Sequence, residues 1–180
     1  SEEFLSKIDK KIIKPTVKGI IEDKLDYVGF LFIGIIKVEN EPFVIEYNVR
    51  MGDPETQVVL PRIKNDFLEM MIKTALGELD TIKLEVDNST YANVVLVSGG
   101  YPETYENGKK ITGLNKERGS IMFHAGTKRE DSGIVTNGGR VFSVVSKSND
   151  FKSALTKSYK SIESIHFDKK NFRKDLGFDL

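Results

Sequence analysis

The chain has 180 residues, of which 39% are hydrophobic and 30% are charged, a composition typical of a soluble globular protein with a sizeable core. Lysine plus arginine equals aspartate plus glutamate at 27 each, so no net field attracts nucleic acid or an anionic membrane. The absence of cysteine excludes disulfides and thiolate metal sites, and it is compatible with a cytoplasmic location.

The beginning of the chain predicts a helix followed by a β-hairpin. Apolar side chains recur at near-helical spacing over residues 2–23, and Pro15 inside this pattern predicts a kink or a split. Residues 27–38 and 43–50 predict two antiparallel strands around a polar segment. The longest apolar run, residues 27–36, has ten residues, whereas a membrane helix needs about 20. We therefore expect no membrane partner.

The second strand of this hairpin carries polar side chains at alternate positions. Glu46, Asn48 and Arg50 are expected to leave the same face of the strand. A carboxylate and a carboxamide oxygen suit Mg²⁺, which usually takes one or two protein ligands beside waters and substrate phosphates. Arg50 would hold an anion next to that metal. The alternative is a simple ion pair between Glu46 and Arg50 on a solvated strand.

Two further carboxylates follow the strand. Gly52 and Pro54 break it, so Asp53 and Glu55 are expected to project from a rigid turn. Residues 62–76 then predict a helix that a glycine terminates.

From residue 91 the pattern changes to short apolar runs separated by turns rich in glycine, proline and asparagine, which predicts a small β-rich unit. The apolar runs are 92–97, 120–124 and 141–145, and a last amphipathic helix is predicted over about 151–165. The polar step at residues 87–89 places the boundary between two units near residue 88.

Two features of the second unit are candidates for substrate contact. The Gly138-Gly139-Arg140 step has backbone N–H groups and a guanidinium that could meet a phosphate, or its glycines form only a tight turn. His124 precedes a glycine turn, where a hydrogen-bonded structural role is more frequent than substrate contact. His166 is expected at the surface.

The phrase IEYNVRMGDPETQ, residues 45–57, resembles the signature of the phosphoribosylamine–glycine ligase family of ATP-grasp enzymes. Met51 departs from the phenylalanine expected there. Similar phrases follow in the family's order: GGYP at 99–102, GKKITGL at 108–114, FHAGT at 123–127, GGRV at 138–141 and RKDLG at 173–177. The resemblance covers essentially the whole chain, but only the C-terminal part of the family's chain.

The resemblance implies an α+β fold. Residues 1–88 would form the C-terminal half of an ATP-grasp domain, an antiparallel sheet with helices, and residues 89–180 the small β-rich C-terminal domain of the ligase. It also implies a missing partner, the N-terminal half of the same enzyme, without which this part is expected to be inactive.

The resemblance further implies an ATP-dependent ligase of purine biosynthesis. ATP would phosphorylate glycine to glycyl phosphate with release of ADP, and 5-phosphoribosylamine would then displace phosphate to give glycinamide ribonucleotide. By resemblance, Glu46 and Asn48 bind Mg²⁺ or Mn²⁺ against the phosphates of ATP. Arg50 is assigned to the glycine carboxylate and its acyl phosphate.

The remaining assignments concern the substrates. Asp53 and Glu55 are expected to orient the amino group of glycine or the second substrate, and Thr127, Gly139 and Arg140 to contact the ribose phosphate. Two alternatives stay open: another ATP-grasp carboxylate–amine ligase on the same scaffold, or a non-catalytic interaction module that retains the fold.

Overall fold

The computed structural model describes residues 1–114 and 119–178, and the chain divides into two compact units. Unit 1 comprises Ser1–Gly52 and Asn65–Leu84, and unit 2 comprises Asp53–Lys64 and Glu85–Leu180. The units alternate along the chain because Asp53–Lys64 packs with the later residues, whereas the sequence predicted one division near residue 88. The assignment of residues 1–88 and 89–180 to two family domains stays a prediction.

The helices and strands that the sequence predicts are present in the predicted order, with shifted ends, whereas the short helix Thr56–Val59 and the strands Thr127–Glu130 and Gly133–Thr136 were not predicted. The helices are α1 (Glu2–Ile8), α2 (Lys14–Glu22), α3 (Thr56–Val59), α4 (Phe67–Leu76) and α5 (Phe151–Ile162). The strands are β1 (Phe32–Val38), β2 (Glu41–Asn48), β3 (Thr90–Val97), β4 (Ile121–His124), β5 (Thr127–Glu130), β6 (Gly133–Thr136) and β7 (Arg140–Ser148). A mixed α+β fold with antiparallel sheets is therefore confirmed.

The predicted irregularity in the first helix is a π-helical turn. This turn, Asp9–Ile13, joins α1 to α2, and the N–H of Lys14 donates to the carbonyl of Asp9. Pro15 then lies in the first turn of α2, where a missing N–H is tolerated. The proline is accommodated and helical structure continues to Glu22.

Strands β1 and β2 form an antiparallel hairpin. Glu39 and Asn40 make its two-residue turn with positive φ angles of 48° and 65°. The first strand starts at Phe32, so the predicted strand over 27–38 was too long, and the second ends at Asn48 rather than at residue 50.

Helix α4 is shorter than the predicted helix 62–76. The chain first makes a 3₁₀ turn over Leu60–Arg62, and the helix begins after Asp66, whose side chain accepts a hydrogen bond from the N–H of Glu69. It ends at Gly77, as predicted, in the left-handed conformation at φ 71°. None of the described helices is long and apolar enough to cross a membrane.

Unit 2 contains a three-stranded antiparallel sheet in the order β3-β7-β4, with helix α5 packed against β3 and β7. Its core is a cluster of buried apolar side chains: Val94, Leu96, Ile111, Val141, Phe142, Val144, Ile162, Ile165 and Phe167. Alternate residues of β3 are buried, so Asn93, Val95 and Val97 lie on the other face of the sheet.

Candidate functional site

Glu46 and Asn48 lie side by side at the end of β2, as the strand alternation predicts. The side-chain amide of Asn48 donates to Glu46 Oε1 at 3.0 Å, and the Asn48 carbonyl oxygen and Glu46 Oε2 have no partner within residues 1–114 and 119–178. Gly34 on β1 pairs with Glu46, and a Cβ on Gly34 would lie 3.1 Å from Glu46 Cγ. The glycine thus leaves room for the carboxylate.

Arg50 lies beyond this strand. Because β2 ends at Asn48, the same-face prediction holds for Glu46 and Asn48 and does not extend to Arg50. The Arg50 side chain is exposed and donates from Nη1 to the carbonyl of Met51 at 2.8 Å. No ion pair between Glu46 and Arg50 forms among the described residues.

The donors of Glu46 and Asn48 fit a magnesium-type cation. A carboxylate and a carboxamide are hard oxygen ligands, and Mg²⁺ usually retains several waters or phosphate oxygens. Over residues 1–114 and 119–178, no group of three or more histidine, cysteine, aspartate or glutamate residues could hold a metal. A pair of such donors leaves coordination positions for water or phosphate oxygens.

The Asp53–Pro54 turn belongs to unit 2, where Arg140 fixes it. Arg140 Nη1 donates to the backbone carbonyl of Asp53 at 3.0 Å and lies 3.0 Å from its carboxylate Oδ2. Arg140 Nε donates to the hydroxyl of Tyr101 at 3.1 Å. Asp53, Tyr101 and Arg140 form what we call the turn cluster.

The charge of the turn cluster is balanced. Burial disfavours the Arg140 cation, but the hydrogen bond to Tyr101 and the Asp53 carboxylate outweigh it, so the pKa of Arg140 rises above its ordinary value. Glu55 lies next to the cluster in sequence, with an exposed side chain. The structure thus brings Asp53 and Arg140 together and leaves Glu55 facing solvent.

Three of the glycine phrases meet beside this cluster. A Cβ on Gly139 would lie 2.2 Å from Cδ2 of the Tyr101 ring, and a Cβ on Gly126 would lie 2.7 Å from the Cα of Gly138. The Ser98 hydroxyl donates to the Gly138 carbonyl at 2.8 Å. These glycines permit close backbone and ring packing. The step from Gly138 to Gly139 joins β6 and β7, which lie in different sheets, and a phosphate contact there stays a prediction.

Thr127 and His124 bond to each other. Oγ1 of Thr127 lies 2.9 Å from Nδ1 of His124. The His124 ring packs edge-on against Phe142, with ring centroids 4.6 Å apart. His124 therefore has the structural contacts that the sequence favoured, and Thr127 lies one residue from the Gly126 contact with Gly138. His166 is exposed, as expected.

A pocket with a volume of about 570 Å³ opens within unit 2. Its lining includes Tyr101 and Arg140 of the turn cluster, apolar side chains from β3, and the segment Asn171–Leu176 near the end of the chain. The sequence analysis missed Tyr101 and this pocket. The GGYP phrase marked the position of Tyr101, but only the tertiary structure shows that its hydroxyl bonds to Arg140.

Comparison with known proteins gives consistent results. The family model described as "Phosphoribosylglycinamide synthetase, ATP-grasp (A) domain" matches residues 1–56, and that described as "Phosphoribosylglycinamide synthetase, C domain" matches residues 91–179. The two matches follow one another and span most of the chain. The chain belongs to the phosphoribosylamine–glycine ligase family.

Relatives in this family are similar over nearly the whole chain. The phosphoribosylamine–glycine ligase of Chlorobaculum tepidum is 39% identical over 97% of this chain and 42% of its own length. The phosphoribosylamine–glycine ligase of Fusobacterium nucleatum is 40% identical over 95% of this chain and 41% of its own length. The trifunctional purine biosynthetic protein adenosine-3 of Gallus gallus is 38% identical over 99% of the chain and 18% of its own length. The chain spans about two fifths of the single-function ligases that it matches.

Solved structures support the same fold. The ligase of Thermotoga maritima superposes with a TM-score of 0.80 at 32% identity, over 97% of this chain and 43% of that one. A second structure is N5-carboxyaminoimidazole ribonucleotide synthetase from Thermotoga maritima, with a TM-score of 0.55 and 15% identity. The match covers 93% of this chain and 43% of that one, and it shows a shared fold alone.

Proposed function

We propose that this chain supplies the C-terminal part of a ligase that joins glycine to 5-phosphoribosylamine through glycyl phosphate, giving glycinamide ribonucleotide, ADP and phosphate. The observation that carries the proposal is the pair of consecutive matches to two domains of this one enzyme family. We assign residues 1–88 to the C-terminal half of the ATP-grasp domain and residues 89–180 to the C-terminal domain. We place the reaction in the cytoplasm, in purine biosynthesis.

Glu46 and Asn48 are the proposed ligands of Mg²⁺ or Mn²⁺. Their adjacent oxygen donors support this role, since one Asn48 amide hydrogen bond holds the two side chains in register. A divalent cation bound there would neutralise phosphate charge during transfer from ATP. Glu46 and Asn48 supply the fixed oxygen atoms against which ATP phosphates are positioned.

Arg50 is the proposed partner of the glycine carboxylate. Only its Nη1 hydrogen bond to the Met51 carbonyl forms among the described residues, so its other N–H groups remain for a planar anion. A carboxylate that attacks ATP must approach another anion, and a guanidinium lowers the electrostatic part of that barrier.

The second substrate is assigned to unit 2. Asp53 and Glu55 are proposed to orient the amino group of glycine or of phosphoribosylamine, and Thr127, Gly139 and Arg140 to contact the ribose phosphate. The position of Asp53 and Arg140 beside the pocket supports this assignment. An adjacent carboxylate and guanidinium suit a ligand with both an amine and acceptor oxygens.

The proposed partner is the polypeptide that corresponds to the rest of the relatives' length. Ile13, at the end of the π-helical turn, and Val17 and Ile21 of helix α2 form one exposed stripe, with 44%, 48% and 70% of their surfaces accessible. On helix α4, Leu68, Ile72 and Leu76 repeat this spacing and are also exposed. Contiguous apolar stripes of this kind mark surfaces that another protein segment covers.

The test is ADP release by this chain mixed with a separately produced upstream half of a family ligase. We expect release that requires glycine, phosphoribosylamine and Mg²⁺ together, and no release by this chain alone. If both halves fold and associate but release no ADP, the ligase proposal fails and a non-catalytic interaction module remains.

Two substitutions sharpen this assay. Glu46→Gln should reduce turnover at least about 100-fold with folding intact, because it removes a metal carboxylate. Its matched control is Glu39→Gln, in the turn of the same hairpin.

Arg50→Lys should raise the glycine KM or lower kcat, because an ammonium lacks the planar fork. Its control is Arg129→Lys at an exposed position, which should change neither constant. Normal kinetics in either test variant would remove that residue from the site.

A further inference from the structure

The GGYP phrase places Tyr101 at a fixed point above the end of β3. The N–H of Tyr101 donates to the Ser98 carbonyl at 3.1 Å, and the N–H of Glu103 donates to the Gly100 carbonyl at 2.9 Å. Gly100 has φ 99°, and a Cβ there would lie 2.1 Å from the Thr104 carbonyl oxygen. Tyr101 therefore directly follows a residue, Gly100, whose conformation and close contact only glycine permits.

The ring of Tyr101 is fixed as well. It occupies the space where any side chain on Gly139 would lie, because a Cβ on Gly139 would be 2.2 Å from Cδ2 and 2.7 Å from Cε2 of the ring. The Tyr105 ring lies beside it, with centroids 6.2 Å apart at 56°. Ring packing alone would be satisfied equally by phenylalanine, so any further role lies in the hydroxyl.

That hydroxyl holds the guanidinium of Arg140. Arginine only donates hydrogen bonds, so the Tyr101 oxygen accepts from Nε at 3.1 Å and its own proton stays available. On the other side, Nη1 bonds to the carbonyl and the carboxylate of Asp53. These contacts use three of the five guanidinium N–H groups, and the two on Nη2 have no partner among residues 1–114 and 119–178.

We propose that Tyr101 is a positioning residue of the second-substrate subsite, which holds the Arg140 guanidinium so that its Nη2 donors meet a phosphorylated pentose in the unit 2 pocket. This inference rests on the proposed function. Tyr101 and Arg140 both line the pocket, and 39% of the Arg140 side chain is accessible. A guanidinium held on two sides loses less rotational freedom when a ligand binds.

The test compares Tyr101→Phe with Tyr105→Phe in the 180-residue chain, using ribose 5-phosphate as the probe in calorimetric titrations. Tyr101→Phe keeps the ring and removes only the hydroxyl, so we expect at least about tenfold weaker binding, in line with the loss of a hydrogen bond to a charged group. Tyr105→Phe should bind like the original chain, because among the described residues the Tyr105 hydroxyl has no hydrogen bond.

A second measurement follows the guanidinium directly. The Nε–H resonance of Arg140, assigned by its loss in Arg140→Lys, should exchange faster with water in Tyr101→Phe and stay unchanged in Tyr105→Phe. The double variant Tyr101→Phe/Arg140→Lys should bind no more weakly than Arg140→Lys, because Tyr101 acts through Arg140. A tyrosine that contributes only ring packing would move neither readout, and a hydroxyl bond to Arg140 without a role in binding would change the exchange rate alone.

The outcomes separate this inference from the proposed function. If the original chain binds the probe and Tyr101→Phe binds equally well, the positioning role is wrong while the subsite stands. If the folded original chain does not bind the probe, the subsite in this chain and the role of Tyr101 both fail. The ADP-release assay then decides the proposed ligase activity independently.

Discussion

Units 1 and 2 place their apolar side chains differently. In unit 2 the sheet and α5 enclose a contiguous cluster from Val94 to Phe167, whereas Ile12 and Met70 are the buried hydrophobic residues among the described part of unit 1. The hairpin strands of unit 1 instead expose Phe43, Ile45 and Tyr47 at 53%, 65% and 49%. A unit with its own core is stabilised by its own burial, whereas many apolar side chains of unit 1 stay exposed in this chain.

Leucine-to-alanine substitutions in the two units should have effects of very different size. Leu96→Ala, at a fully buried position of β3, should reduce the free energy of unfolding of unit 2 by about 2–5 kcal/mol, because it leaves a cavity. Leu68→Ala, at a position 69% exposed on α4, should change the free energy of unfolding of unit 1 by less than about 0.5 kcal/mol. Chemical denaturation measures both, and equal losses would contradict the difference between the units.

A pair of glycine substitutions gives the next largest contrast. Gly113 in unit 2 has φ 80°, and a Cβ there would lie 1.7 Å from the Ser164 carbonyl oxygen, so Gly113→Ala should destabilise by about 1–3 kcal/mol. Gly19 in α2 has open space, so Gly19→Ala should stabilise unit 1 by about 0.5–1 kcal/mol. Thermal unfolding followed by circular dichroism would show the two shifts, and a gain from Gly113→Ala would disprove the close contact.

The smallest effect concerns pH and unit 1. Lys11, and then Lys7 at 2.7 Å, bond to the Glu41 carboxylate and lower its pKa from 4.5 to about 2, which joins α1 and the helical turn after it to β2. A lowered pKa means that the carboxylate stabilises the fold above about pH 4.5, and that this contribution is lost as the pH falls through about 2.

Carbon-13 NMR of the Glu41 carboxyl group checks this directly, with a midpoint expected near pH 2. Lys11→Met should move the midpoint upward, and high salt should do the same because the pair is partly exposed. Lys18→Met, on the outer part of α2, is the control that should leave it unchanged. A midpoint at the ordinary glutamate value would disprove the two-lysine contact.

Local sequence patterns predicted the elements well where local chemistry decides them. The left-handed cap at Gly77, the hairpin of β1 and β2, and helix α5 follow from a stop signal, an alternation and an amphipathic period. Pro15 predicted a kink or a split, and the structure has a π-helical turn over Asp9–Ile13, shortly before the proline. The ends of β1 and α4 could not be predicted, since competing turns set them.

The candidate site divides in the same way. Glu46 and Asn48 could be placed together from their spacing alone, because alternation along a strand is a local property. The bond between Arg140 and Asp53 joins residues 87 positions apart, and no local pattern contains it. The same holds for the Tyr101 ring on Gly139, which needs two distant loops to meet.

The sequence by itself therefore determined the family resemblance, the order of the helices and strands, and the pair of oxygen donors on β2. The tertiary structure decided that Asp53–Lys64 packs with the second unit, and that Arg140 is held between Asp53 and Tyr101. The reason is physical: periodicity and turn chemistry act between neighbours along the chain. Side-chain packing and ion pairing depend instead on distances that exist only after remote segments have come together.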